Sequence, residues 1–122
     1  MDNSSSSRSK LRIPNDAMYL LLREGCITEF NAKKASGEKV DLRGCDLRGL
    51  ELRGLDADGL DLSDCYFRQS DLRSIDFRNA RMEGASINAA KISGAYFPAE
   101  LTASEIELSL LHGTRMRYRS EQ

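Results

Sequence analysis

The sequence predicts an all-β solenoid capped by helices at both ends. Three observations carry that prediction: an apolar beat with a period of five residues, turn-forming residues at a fixed place in each unit, and short amphipathic segments on either side. The beat runs without a slip from Val40 to Ala99. Bulky apolar residues fall at Leu42, Leu47, Leu52, Leu62, Phe67, Leu72, Phe77, Met82, Ile87, Ile92 and Phe97, with the smaller Ala57 in the same register. Two residues before each stands a second apolar or small residue: Val40, Cys45, Leu50, Leu55, Leu60, Cys65, Ser70, Ile75, Ala80, Ala85, Ala90 and Ala95.

Neither regular element explains such a beat, since a helix needs apolar spacing near 3.6 and a strand needs about 2. Within each unit, apolar positions one and three flank a polar position two, as in a very short strand. Positions four and five read Arg-Gly, Asp-Gly, Ser-Asp, Arg-Gln, Arg-Ser or Arg-Asn, which is turn chemistry. A strand and a turn repeated identically bend the chain the same way each time, so it must coil. Each unit is then stable only when stacked on its neighbours.

The string VDLRG-CDLRG-LELRG-LDADG-LDLSD-CYFRQ-SDLRS-IDFRN resembles the pentapeptide-repeat proteins, whose motif is close to A-(D/N)-L-x-x. The resemblance extends over residues 40–99 and implies a right-handed quadrilateral β-helix of about three coils, four units to a coil, rising about 4.8 Å per coil. Residues one coil apart would stack directly, so Phe77 and Phe97 should share a column, while Leu50, Leu55 and Leu60 fill the space beside Ala57. The first coil ends its units in Gly44, Gly49, Gly54 and Gly59, and the second in Asp64, Gln69, Ser74 and Asn79. Gly accepts the positive φ that a type II turn needs at its second central residue. Type II turns are therefore expected in the first coil, and type I or irregular turns in the second.

The flanks complete the domain plan. Residues 1–10 are Ser-rich and charged and are expected to be a disordered tail. Residues 11–39 read as an N-terminal helical cap: Pro14-Asn15-Asp16 offers an N-cap, Ala17, Met18, Leu20, Leu21 and Leu22 follow, and Gly25 punctuates. A second segment, Thr28 to Ala35, would bring Phe30 and Ala32 near the first coil. These runs are far shorter than the roughly 18 apolar residues of a membrane span. Residues 100–122 read as a C-terminal helical cap and basic tail, with a helix over Glu100 to His112 capped by Thr102 or Ser104 and ended by Gly113. Its stripe of Leu101, Ile106, Leu110 and Leu111 would cover the bottom of the third coil. The same stripe could instead form a dimer seam, so a homodimer through this helix stands as the alternative.

No nucleophile with a matching base is legible. His112 is the only histidine and stands at a helix end, and no CxxC is present, so no metal, no cofactor and no catalytic residue are expected. Cys45 and Cys65 occupy inward positions and read as a reduced, buried pair, with Cys26 at the edge of a cap. The chain lacks an apolar h-region near Met1, which predicts a cytoplasmic location.

The surface is more informative. Position two carries Asp41, Asp46, Glu51, Asp56, Asp61, Asp71 and Asp76, and position four carries Arg43, Arg48, Arg53, Arg68, Arg73 and Arg78. Both point outward, which predicts a striped, zwitterionic surface; the chain's net charge is −1. The activity best known for the resembled family, protecting DNA gyrase by mimicking B-form DNA, calls for a long acidic rod, because the duplex carries about one charge per 1.7 Å. Three coils span only about 15 Å, and the third replaces acid with Arg81, Ser86, Lys91 and Tyr96. A topoisomerase-interacting protein of the DNA-mimic type is thus the alternative. Nucleic acid binding is disfavoured, since the only basic cluster is Arg115, Arg117 and Arg119.

The favoured reading is a non-enzymatic scaffold that binds an unidentified protein partner. The candidate face is Asp46, Arg48, Tyr66 and Arg68, because Tyr and Arg most often carry interface energy. A second candidate face comprises Asp56, Asp58, Asp76 and Tyr96.

Overall fold

A computed structural model describes residues 11–120. The tail expected at residues 1–10 lies outside the described residues. The helices are α1 (Ala17–Arg23), α2 (Ile27–Ala35) and α3 (Ala103–His112). Between α2 and α3 the chain winds so that residues twenty apart pair in parallel. Asp46 bridges Tyr66, which bridges Ser86; Glu51 bridges Asp71, which bridges Lys91; Asp61 bridges Arg81 and Asp76 bridges Tyr96. The pairing takes the form of isolated bridges rather than extended strands. Each unit offers only three extended positions before the next turn, so a ladder has no room to grow.

Positions three and five of the stack follow one hydrogen-bond rule. The N–H of position three or five donates to a carbonyl nineteen residues on, as in Leu47 to Tyr66, Gly49 to Arg68, Phe67 to Ser86 and Gln69 to Asn88, at 2.8, 2.8, 2.8 and 2.9 Å. The N–H of position one closes the preceding turn, as from Cys45 to Leu42 (3.1 Å) and from Ser70 to Phe67 (3.0 Å).

That rule corrects the turn expectation. Gly44, Gly49, Gly54 and Gly59 do have positive φ, but so do Asp64 (61°), Gln69 (62°), Ser74 (64°) and, in the third winding, Ala89 (58°). Only Asn79 in the second winding stays out of the region. A left-handed non-Gly residue costs roughly 1–2 kcal/mol. Asp64, Gln69 and Ser74 each donate a hydrogen bond to the next winding, Ala89 donates to Leu110 of α3, and each supports a turn bond; two such bonds contribute about 0.5–1.5 kcal/mol each. The stack therefore wins over the local preference.

The inward columns are as the period predicts. Leu42, Leu47, Leu52, Ala57, Leu62, Phe67, Leu72, Phe77, Met82 and Ile87 are buried, together with Cys45, Leu50, Leu55, Leu60, Cys65, Ile75, Ala80 and Ala85. Phe77 and Phe97 stack with centroids 5.8 Å apart and planes 22° apart. Ser70, the polar residue in an inward column, is fully buried: its hydroxyl donates to the Leu47 carbonyl and accepts the Leu50 N–H. Ile92 and Phe97, at the bottom, are only partly buried.

The ends of the stack are covered piecewise. Asp16 caps α1 by accepting the Tyr19 N–H, and the Tyr19 hydroxyl, inside the core, donates to the Asp46 carbonyl (2.7 Å). Arg12 pairs in parallel with Cys45. On α2, Phe30 is buried as expected, whereas Ala32 is exposed. Asn31 on the intervening face donates to the Gly54 carbonyl and accepts the Asp56 N–H, and that docking turns Ala32 outward. At the bottom, Thr102 caps α3 and Gly113 ends it in the left-handed region. Here too one stripe residue differs: Leu111 is 61% exposed, and Ser109 is buried in its stead, accepting the Ile87 N–H at 2.9 Å. The chain then returns as a strap, with Met116 exchanging hydrogen bonds with Gly84 and Ala85 and the Tyr118 hydroxyl accepting the Met82 N–H.

Two substitutions test the packing and the turns. Leu62→Ala should lower the unfolding free energy by about 2–5 kcal/mol in chemical denaturation, as a truncation of a fully buried side chain. Gly49→Ala and Gly84→Ala separate backbone strain from crowding. Nothing lies near an added Cβ at Gly49, whereas at Gly84 it would collide with the Asp64 carboxylate. The first should cost about 1–2 kcal/mol and the second clearly more; equal costs would mean that Asp64 yields freely.

A candidate protein-binding surface

The outward side chains form a lattice of local ion pairs. Each position-four Arg whose unit carries an acid at position two turns back onto that acid, as Arg43 does on Asp41, Arg48 on Asp46, Arg53 on Glu51, Arg73 on Asp71 and Arg78 on Asp76. In the Asp46, Asp71 and Asp76 pairs the grip is a fork from Nε and Nη2 to the two carboxylate oxygens, at 2.7–3.1 Å. The same carboxylates accept the backbone N–H of their Arg. Arg53 also reaches Asp71 one winding on, at 3.3 Å. These bonds, the Arg side chain first, hold the carboxyls of Asp41, Asp46 and Asp71 below the usual range and bring Asp76 down to about 2.

The first candidate face is brought together by stacking. Asp46 and Tyr66 bridge one another, and Arg48 and Arg68 follow them two residues on. Its members are not equally presented. Asp46 is only 8% exposed because Arg48 grips it and its backbone lies under α1, so it is no open contact. Tyr66 is partly buried by the returning strap: Arg115 bonds its hydroxyl and lies 5.0 Å over its ring, while also binding Asp64 (3.0 Å) and the Gly84 carbonyl (2.9 Å). Arg68 is exposed, and its guanidinium has no hydrogen-bond or ion-pair partner among the described residues. Arg23 of α1 lies at the top of this face, 3.4 Å from the Asp46 carbonyl.

The second face also assembles, with members the period did not reveal. Tyr96 is 57% exposed and bridges Asp76, and Arg78 lies 4.6 Å over its ring while pairing with Asp76. Asp56 pairs with Lys34 of α2 at 3.2 Å and accepts the Asp58 N–H, and Asp58 accepts from Asn79 at 2.9 Å. Arg78 was legible as the position-four partner of Asp76. Lys34 and Arg115 lie outside the repeat, and nothing in its spacing points to them.

An open cleft of about 500 Å³ lies between the strap and the third winding. Its charged groups are already engaged with one another, Arg115 with Asp64 and Arg81 with Glu83, and Arg117 turns to Glu105. Cys26, Cys45 and Cys65 are free thiols. Burial pushes the Cys45 thiol up to about 11 and that of Cys65 to about 12, which suppresses the nucleophilic thiolate. Among the described residues no three His, Cys, Asp or Glu side chains gather as a metal site, and no helix is long and apolar enough to cross a membrane.

A chain wound in five-residue units, stacked at twenty residues and faced with self-paired charges, is a repeat protein by construction. The family model for pentapeptide repeats matches residues 61–97, in eight copies, so the chain carries pentapeptide repeats over that span. No curated protein and no solved structure matches it.

The depressed carboxyls set a pH dependence. Groups whose folded pKa lies below the unfolded value stabilise the fold above the unfolded pKa, and lose that contribution as pH falls through the folded one. Thermal midpoints followed by circular dichroism should hold between about pH 5 and 7 and fall from about pH 4 towards 2. Asp76→Asn keeps the acceptor but removes the charge, so its midpoint should be lower at neutral pH and converge on that of the parent near pH 2. Curves that stay parallel would show that Asp76 does not contribute.

Proposed function

We propose that this protein is a non-enzymatic scaffold, a right-handed quadrilateral β-helix of about three coils, that acts in the cytoplasm by presenting a rigid face to a protein partner. The single observation that supports this most is the contrast on its surface. Elsewhere the position-two acids and position-four arginines consume one another, while the face of Arg48, Tyr66 and Arg68 keeps an unengaged arginine beside an aromatic ring. Groups already paired gain little from a partner, whereas Tyr and Arg are enriched among residues that dominate binding energy. A DNA-mimic role fits the surface less well, because five of its position-two acids are gripped by the guanidinium of their own unit, which breaks up a continuous negative field.

The test is affinity capture from the native cytoplasm with matched double mutants. Tyr66→Ala with Arg68→Ala should keep the circular dichroism spectrum and lose the captured partner by at least about tenfold, the equivalent of one hot-spot contact. Asp61→Ala with Arg43→Ala, on the neighbouring face, should leave capture unchanged. Equal capture by both would move the binding role to Asp56, Asp58, Asp76 and Tyr96. Inhibition or protection of gyrase supercoiling by the purified protein would favour the DNA-mimic reading instead.

A further inference from the structure

The repeat lattice itself indicates what the Arg68 site lacks. In five units of the stack, the position-four arginine is met by a carboxylate from position two, held through Nε and Nη2 in three of them by a full fork. In the unit of Arg68, position two is Tyr66, and its hydroxyl is committed to Arg115. The backbone around Arg68 follows the same register as the other units: Gly49 donates to the Arg68 carbonyl, and Gln69 donates to Asn88. Arg68 thus stands in a frame that elsewhere closes on a carboxylate, and the described residues supply none.

The surroundings reinforce the sign. Arg48 lies one winding above Arg68, and Arg23 reaches the same edge, within 3.5 Å of the Arg48 carbonyl. Together with Arg115 these are four guanidinium groups against the carboxylates of Asp46 and Asp64, a local excess of two positive charges on a chain of net charge −1. The excess is too small and too interrupted by Asp46 to track a nucleic acid backbone, which relies on many phosphate contacts.

We infer that Arg68 is a carboxylate-reading subsite, and that the partner docks on this face through an extended acidic segment whose Asp or Glu side chain takes the place of the missing position-two acid. Tyr66 forms one wall of the subsite, and Arg115 is a positioning residue that holds the ring aside. The inference rests on the scaffold reading above and names the chemistry of its partner.

The experiment uses the full chain and a fluorescein-labelled hexaglutamate peptide, with fluorescence anisotropy at low ionic strength. Arg68→Ala should weaken binding about tenfold, the loss of one charge-assisted hydrogen-bonded contact. Arg68→Lys should recover little of it, because an ammonium lacks the fork. The decisive pair is Tyr66→Asp and Tyr66→Asn. Both remove the ring, but only the first supplies an internal carboxylate, so Tyr66→Asp should suppress peptide binding while Tyr66→Asn retains it. An equal loss in Arg73→Ala, a cation on another face, would reduce the effect to unspecific attraction and overturn the proposal. Tighter binding of a single-stranded oligonucleotide of the same charge would overturn it in favour of phosphate recognition. If native partner capture depends on Arg68 but no peptide binds, the carboxylate subsite falls and the scaffold reading stands. If peptide binds at Arg68 but capture is indifferent to it, the scaffold reading fails on this face.

Discussion

The twenty-residue hydrogen-bond register is the constraint from which the other features follow. Once the N–H of position three or five points at a carbonyl nineteen residues on, the inward columns must superpose and the core becomes a set of vertical stacks, as Phe77 and Phe97 illustrate. The same register dictates backbone conformation at position five. Gln69 and Ser74 adopt a left-handed φ that neither favours locally, because leaving it would break one interwinding bond and disturb one turn. It also aligns positions two and four on the outside, which lets a carboxylate and a guanidinium two residues apart meet without reorganising the chain.

What was legible in the sequence is what periodicity encodes. The inward columns, the isolated polar Ser70, the caps at Asp16, Thr102 and Gly113, and the pairing of Phe77 with Phe97 all follow from spacing and capping chemistry. The failures share another cause. Positive φ at Asp64, Gln69 and Ser74 arises from neighbours twenty residues away, so reading each turn in isolation pointed to the wrong type. The exposure of Ala32 and Leu111, and the burial of Ser109, depend on which backbone groups at the stack ends demand a partner. Asn31 and Ser109 answer such demands, and a hydrophobic stripe alone does not reveal them. Asp46 and Tyr66 stack as the period implies, but the covering of Tyr66 comes from Arg115, forty-nine residues on.

The ends show how a short stack avoids the hazards of open edges. Among the described residues no further winding follows the third, and its N–H groups are met by a mixed set of substitutes: the Tyr118 hydroxyl for Met82, the Met116 carbonyl for Gly84, the Ser109 hydroxyl for Ile87 and the Leu110 carbonyl for Ala89. Two of these are side chains, so the strap and α3 need not copy the repeat to complete it. The cap therefore escapes a periodicity search although it performs the work of a winding, in keeping with the atypical terminal units of stacked-repeat proteins.

The charge lattice leaves few of the position-four arginines unpaired. Exposed ion pairs contribute little stability individually, commonly below about 1 kcal/mol, yet each one withdraws two groups from the pool available to a partner. On most of this surface the repeat performs that withdrawal automatically, because the acid and the arginine belong to the same unit. A single substitution at position two, from acid to Tyr66, cancels it for one arginine. The strap then bears on the outcome: by engaging the Tyr66 hydroxyl and ring, Arg115 keeps the aromatic side chain occupied with a residue of the cap. One position-four arginine thus differs from the other five, and it lies where a break in the pattern meets the segment that closes the stack.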